Sequence, residues 1–182
     1  MNKKFELLLD DTITIFGIKL FRIMALISFG NVEKGELGGY VEKEDNLGFS
    51  GNAWVSGDAW VSGNARVSGN ARVSGNAWVS GNAWVSGDAW VSGNAWVSGN
   101  AEVSGNARVS GNADYIVFKN NWSSGRYFTY TKSNKMWRVG YFYGTGQELI
   151  KKAYQDSEVS GKYYEAYVEF VEKLEKLEEK ND

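Results

Sequence analysis

The chain has 182 residues, 43% hydrophobic and 23% charged, enough for one core or for a small domain beside a repeat array. With 20 basic and 22 acidic residues the net charge is −2, so no basic excess draws the chain to nucleic acid, and no stretch approaches the roughly 20 apolar residues of a membrane span. The absence of Cys excludes disulfides and thiolate metal sites and fits a cytoplasmic setting, while the absence of His removes the commonest general base and metal ligand together.

In chain order, KFELLLDDTITIFGIKLFRIMALISFG alternates so as to predict strands over 5–9, 12–16 and 19–27, with turns at Asp10-Asp11 and Gly17. The most apolar run, Ile13 to Phe29, is broken by Lys19 and Arg22 and lacks the features of a signal peptide. Residues 1–39 are read as a small N-terminal β cap. Gly39-Tyr40-Val41 already shows the small-outward-Val order of the array that follows over 40–115.

From Ser50 the period is six, written from its aliphatic residue as V-S-G-N-A-x, as in Val55-Ser56-Gly57-Asp58-Ala59-Trp60. So short a period marks a stacked solenoid whose units cannot bury an apolar face alone. Alternation along Ala-Trp-Val places Ala and Val inside and Trp outside. The Val ladder from Val55 to Val109 therefore fills the core, and Ala53, Ala59 and Ala65 line it where space is tight. Gly with Asn or Asp forms the corner, since both tolerate left-handed backbone. Ser is placed to bond to the neighbouring coil. The pattern resembles the hexapeptide repeat of left-handed parallel β-helices, a resemblance that implies three hexads per coil.

Residues 18 apart then stack at about 4.8 Å and sort the outward position into three faces. One carries Trp60, Trp78, Trp96 and Asp114; a second carries Trp54, Arg72, Trp90 and Arg108, an order suited to cation–π stacking; the third carries Arg66, Trp84 and Glu102. Six of the eight Trp residues stand at outward positions, more apolar surface than a monomer ordinarily exposes. Cover is expected from sister subunits in a homotrimer, from a foreign partner, or from a stacked nucleotide or sugar. Oligomerisation is the preferred reading.

Residues 116–182 read as an α+β domain. YIVFKN, RYFTYTKS and KMWRVGYFYG are strands parted by Ser123-Ser124-Gly125 and Ser133-Asn134. Thr145 and Glu148 form a capping box for a helix, and a longer helix follows Gly161. Its apolar stripe, Tyr163, Tyr167, Phe170, Leu174 and Leu177, is expected to dock on the C-terminal sheet.

Left-handed β-helix proteins are best known as acyltransferases, typically trimers with a His base between subunits. This chain offers no His for that role; Asp58, Asp88 and Glu102 could stand in, but the two Asp residues sit where Asn turns the corner elsewhere. The segments at 21–47 and 113–149 more closely resemble bacterial and phage-encoded hexapeptide-repeat proteins labelled as transferases or polymer-forming proteins. That resemblance implies phage or prophage origin, hence host cytoplasm, and no assigned reaction. Within it, Ser124, Gly125, Arg126 and Thr129 resemble a recurrent motif, and Arg126 is a candidate anion contact. The TGQE helix start could also present N–H groups to an anion.

The expected function is a non-enzymatic oligomeric binding protein that meets a host protein or a nucleotide-like small molecule, in one version countering bacterial defence. It would use Trp54, Trp60, Trp78, Trp84, Trp90 and Trp96 with Arg66, Arg72 and Arg108. No cofactor, metal or membrane is expected. The alternatives are a structural spacer or virion-associated solenoid, an acyltransferase-like enzyme with an unusual base, and a single-stranded nucleic-acid reader.

Overall fold

The computed structural model describes residues 3–180. The chain forms two compact units, Met1–Ile116 with Thr131–Asn134, and Val117–Tyr130 with Lys135–Asp182.

In the first unit β1 (Phe5–Ile15) and β2 (Ile18–Ala25) make an antiparallel hairpin. Phe16 and Gly17 turn it at φ of 50° and 80°, the positive pair that matches the strands' right-handed twist. The turn expected at Asp10-Asp11 is instead a bulge in one continuous strand, with the register shifting between Leu8 and Thr12. The bulge brings the Asp11 carboxylate within 3.1 Å of Arg22 Nε. Next, β3 (Leu37–Val41) pairs antiparallel with β2 on one edge and parallel with the repeat array on the other.

The array supplies ten two-residue strands, β4 (Trp54–Val55), β5 (Trp60–Val61), β6 (Arg66–Val67), β7 (Arg72–Val73), β8 (Trp78–Val79), β9 (Trp84–Val85), β10 (Trp90–Val91), β11 (Trp96–Val97), β12 (Glu102–Val103) and β13 (Arg108–Val109). They stack as β3-β5-β8-β11, β4-β7-β10-β13 and β6-β9-β12, a parallel β-solenoid of about four coils with residues 18 apart in register. Every repeat Val from Val55 to Val109 and every repeat Ala from Ala53 to Ala107 is buried. The corner differs in one respect from expectation. Only its Gly adopts positive φ; among the described residues Phe16 and Lys135 alone do so without being Gly. The Asn contributes its side chain, in ladders such as Asn64 Nδ2 to Asn82 Oδ1 at 3.2 Å and Asn70 Nδ2 to Asp88 Oδ1 at 3.0 Å.

A stack of coils leaves unpaired carbonyls at its first turn and unpaired N–H groups at its last. Within the array Gly and Ala carbonyls accept from the preceding coil, as when Ala53 N donates to Gly69 O and Trp54 N to Ala71 O. The first coil has such a predecessor only in part, with Tyr40 N, Glu42 N and Gly48 N donating to Ala59 O, Val61 O and Val67 O, and elsewhere side chains take its place. Lys4 Nζ donates to Ala53 O at 2.9 Å and Gly51 O at 3.4 Å, and buried Asn46 Nδ2 donates to Ala65 O at 2.8 Å and Gly63 O at 3.2 Å. Lys4 is 2% exposed, lies over the Phe29 ring, and burial lowers its ammonium pKa to about 8. At the far end Asn112 Oδ1 accepts from Trp96 N at 2.7 Å, Ser133 Oγ from Arg108 N at 2.8 Å, and Asp114 Oδ2 from Ser110 N and Gly111 N.

The second unit is built on the sheet β14 (Tyr115–Lys119), β15 (Tyr127–Thr131), β16 (Met136–Val139) and β17 (Phe142–Gly144), followed by α1 (Gly146–Asp156) and α2 (Glu158–Glu178). The last sequence run divides in two because Gly140 turns the chain at φ 57°. Thr145 and Glu148 form the expected capping box. Gly161 does not precede α2; Ser157 caps it, and Gly161 lies inside, where a Cβ would meet the Tyr154 ring at 2.3 Å. The docked stripe is correspondingly Gly161, Tyr164, Val168 and Val171, with Tyr164 edge-on to Phe128. Of the expected stripe, half-buried Tyr167 packs on Phe118 and Phe128 and Phe170 lies edge-on to Phe118, whereas Tyr163, Leu174 and Leu177 are exposed, contrary to the expectation that the whole stripe would dock.

Candidate functional site

The outward position of the hexad has three fates. On the face built by β3, β5, β8 and β11, Tyr40 stands in register below Trp60, and the indoles of Trp60, Trp78 and Trp96 stack at 4.0 Å and 4.5 Å between centroids. The N-terminal hairpin folds over the lower part of this ladder. Trp60 is left 8% exposed in a cluster with Leu20 and Tyr40, against which Ile13, Ile15, Ile18 and Trp78 pack. Phe16, at the hairpin tip, stacks on Trp78 at 5.7 Å. Trp96 remains 45% exposed, and its carbonyl accepts the Tyr115 hydroxyl at 2.7 Å. Asp114 does not extend the face; it lies in a 3-10 turn that closes the array.

On the second face Trp54 is 4% exposed, with Phe29 edge-on at 5.5 Å and Gly38 beneath its ring. Arg72, Trp90 and Arg108 follow in register, all exposed, with the Arg108 guanidinium 5.6 Å from the Trp90 centroid, a cation–π contact of the kind expected. On the third face Arg66 is exposed, Trp84 is 44% exposed and Glu102 is half-buried.

Ser bonds to the neighbouring coil as expected, but its partner escaped the sequence reading. The indole N–H of an array Trp donates to the Ser 16 residues earlier: Trp84 to Ser68 at 2.8 Å, Trp90 to Ser74 at 2.9 Å, Trp96 to Ser80 at 3.1 Å and Trp78 to Ser62 at 3.4 Å. Outward Trp and corner Ser thus form one unit across adjacent coils, and the signal was the constant 16-residue offset between them. Trp54 marks the limit of the rule. Its partner position is Gly38, and its buried Nε1 has no hydrogen-bond acceptor.

Two adjoining depressions follow the second face. One, of about 160 Å³, is bordered by Trp54, Ser56, Arg72, Ser74 and Trp90 with Glu36 at its edge; the other, of about 450 Å³, by Asn70, Arg72, Asp88, Trp90, Asn106 and Arg108. Arg72 and Trp90 border both, so the two read as one groove along the ladder. Neither Arg72 nor Arg108 has a carboxylate partner among the described residues.

The other candidates do not join it. Arg126 is exposed in the second unit, where its backbone N–H donates to Ser124 Oγ at 3.4 Å. The N-terminus of α1 is filled by its own Glu148, which accepts from Thr145 N and Oγ1 and whose carboxyl is held below the ordinary range by those bonds. Asp88 accepts from Asn70 as a corner residue. Among the described residues no three His, Cys, Asp or Glu side chains converge as a metal site would require, and no helix is long and apolar enough to cross a membrane.

No curated protein matches the chain. Residues 59–74, 65–81 and 77–93 are similar to the YdcK β-solenoid repeat, all inside the array. Together with the stacked parallel strands, that similarity identifies the chain as a β-solenoid repeat protein.

Proposed function

We propose that the chain is a non-enzymatic oligomeric binding protein whose ligand surface is the Trp54–Arg72–Trp90–Arg108 face. The observation that carries this reading is the groove itself. Two guanidiniums without carboxylate partners flank an exposed indole on a flat ladder, and Arg72 and Trp90 border both depressions along it. A planar ring would stack on Trp90 while its phosphate or carboxylate met Arg72 or Arg108 through charge-assisted hydrogen bonds. The ligand class is therefore an anionic, ring-bearing small molecule such as a nucleotide. A host protein offering an acidic, aromatic segment is the alternative occupant. In keeping with the resemblance of its flanks, the proposal includes phage or prophage origin, with sequestration of a defence signal as the biological role.

The test is native mass spectrometry of the purified protein for molecules released on denaturation, followed by titration with nucleoside mono- and triphosphates read by Trp fluorescence. Binding that quenches the wild type and is lost in both Trp90→Ser and the Arg72→Ser, Arg108→Ser double variant supports the reading. Binding unchanged in both variants removes this face from the function. No binding at all, with a host protein captured through the same residues, replaces the nucleotide with the protein partner.

The second reading, a structural spacer, is favoured by the identity of successive coils. Backbone bonds of 2.8–3.1 Å join one coil to the next in the same pattern throughout the array, as a length-adjustable element would require.

A further inference from the structure

On the second face Trp54 and Trp90 stand two coils apart, and the residue in register between them is Arg72. Nowhere else along the array do two Trp residues bracket a non-aromatic outward position. Two coil steps of about 4.8 Å each separate the pair. On the first face the same interval, from Trp60 to Trp96, holds one further indole, Trp78, stacked at 4.0 Å and 4.5 Å from its neighbours. The interval at Arg72 is therefore one ring wide, and no ring fills it. Arg72 is exposed and its guanidinium lies over neither Trp54 nor Trp90, whereas Arg108 approaches Trp90 from the following coil at 5.6 Å.

The hydrogen bonds carry the same gap. An indole at position 72 would donate to the Ser 16 residues earlier, as Trp78, Trp84, Trp90 and Trp96 do, and that Ser is Ser56. The Ser56 hydroxyl has no partner among the described residues, whereas Ser74 accepts from Trp90 at 2.9 Å. Both Ser residues border the depression of about 160 Å³ together with Trp54, Arg72 and Trp90. That is room enough for a benzene-sized ring, with the adjoining depression open beyond it.

From this arrangement we infer that the ligand completes the ladder. A flat bicyclic heteroaromatic ring enters between Trp54 and Trp90 in the place of the missing indole and donates an N–H to Ser56 Oγ. An anionic group on it meets the Arg72 guanidinium at the rim. Trp54 is only 4% exposed, so the ring enters as Arg72 swings aside, which breaks no side-chain bond because Arg72 holds none. A purine nucleotide combines the three requirements: a bicyclic ring that stacks on two sides, N–H donors and a phosphate. A pyrimidine nucleotide keeps the charge but offers less ring to the two indoles. Exposed Glu36 at the edge of the depression sets the direction, repelling the phosphate and accepting from a ring amino group. The anion accordingly lies toward Arg72 and Arg108.

This narrows the ligand class of the groove proposed above and rests on that reading. R72W supplies the missing ring from the chain itself, so the variant should melt no lower than the wild type and should bind AMP at least about tenfold more weakly by isothermal titration calorimetry. R72Q removes the same charge but leaves the interval open, and should keep at least about threefold more affinity than R72W. S56A should weaken AMP about fivefold, and CMP should bind the wild type more weakly than AMP. Equal losses in R72W and R72Q, a melting temperature lowered by R72W, or CMP bound as tightly as AMP overturns the inference. R72W that binds AMP like the wild type, with binding lost only in the Arg72→Ser, Arg108→Ser double variant, overturns it while the groove reading stands. Indole-3-acetate bound in place of AMP, and lost in R72W, supports the slot with an indole acid as its ligand. A wild type that binds neither AMP nor indole-3-acetate overturns both readings.

Discussion

Raising the pH from 7 to 10 should stabilise the chain through Lys4. Its ammonium is buried at the first coil with a pKa near 8, against 10.5 for the unfolded chain. The folded pKa is depressed, so between pH 8 and pH 10.5 the unfolded state binds more protons than the native one. Unfolding therefore becomes harder as pH rises through that window. Integrating the two titrations from pH 7 to pH 10 gives about 2.5 kcal/mol of added stability, most of it between pH 8 and 10. The window closes near pH 10 because buried Tyr130 and half-buried Tyr115 have raised hydroxyl pKa values, from burial first and, for Tyr130, from Glu175. Their contribution is present below the unfolded Tyr pKa and is lost as pH rises through the folded one. Urea unfolding followed by far-UV circular dichroism at pH 7, 8, 9 and 10 measures the profile. Lys4→Met removes the titration, so the wild-type minus variant difference isolates it from every other group. The two neutral-cap carbonyls left behind by Met, Gly51 O and Ala53 O, lower stability at all four pH values alike. Wild type and variant moving in parallel across the range would refute both the buried ammonium and its role as surrogate for a missing coil.

Three further outcomes follow from the same packing. Trp60→Ala should cost about 3–5 kcal/mol, whereas Trp84→Ala should cost under about 1 kcal/mol, since only the former is buried beneath the hairpin; differential thermal melts would show it, and equal losses would contradict the covered-face description. Gly87→Ala should cost at least about 1 kcal/mol, because Gly87 sits at φ 69° and a Cβ would lie 2.9 Å from Gly105 N; a neutral effect would mean the corner can relax. Deleting residues 76–93 should leave a folded protein one coil shorter, while deleting only 76–81 should unfold the cap contacts, because six residues turn every later face by one and 18 turn none; circular dichroism and melting temperature distinguish them.

The array was legible because its period is short and its chemistry repeats. Buried Val and Ala, outward Trp and Arg, and the 18-residue register all follow from alternation and the position of Gly. The cap residues were not legible, since Lys4, Asn46, Asn112 and Ser133 act once each, on backbone groups far away in sequence. No local pattern marks a side chain that replaces a missing strand. The α2 stripe misled for a different reason. Two apolar stripes share that helix, and the one with larger residues and clean heptad steps is the less buried one, reaching the sheet only through Tyr167 and Phe170. Gly161 was the overlooked signal: a Gly inside a helix costs stability unless another element must approach closely, and here the Tyr154 ring does.

The same hexad therefore yields three outcomes that its letters do not distinguish. Trp54 and Trp60 are sealed by Phe29, Gly38 and the N-terminal hairpin; Trp78 is half-covered by Phe16; Trp84, Trp90 and Trp96 stay open around a single coil. Each open indole nonetheless has its N–H satisfied by a Ser one coil below, which leaves the exposed part of its ring, not its polar atom, as the recognition element. A ring face without a free donor selects by stacking and charge, and tolerates variation in the ligand's hydrogen-bond pattern. Specificity at the proposed groove must then come from what is particular to it: the positions of Arg72 and Arg108, which the array could have filled with Trp at no cost to its core. Arg66 stands on another face, so those two guanidiniums make the second face the one whose electrostatics differ from its neighbours, and Arg72→Trp with Arg108→Trp should abolish anion recognition there while leaving the coils intact.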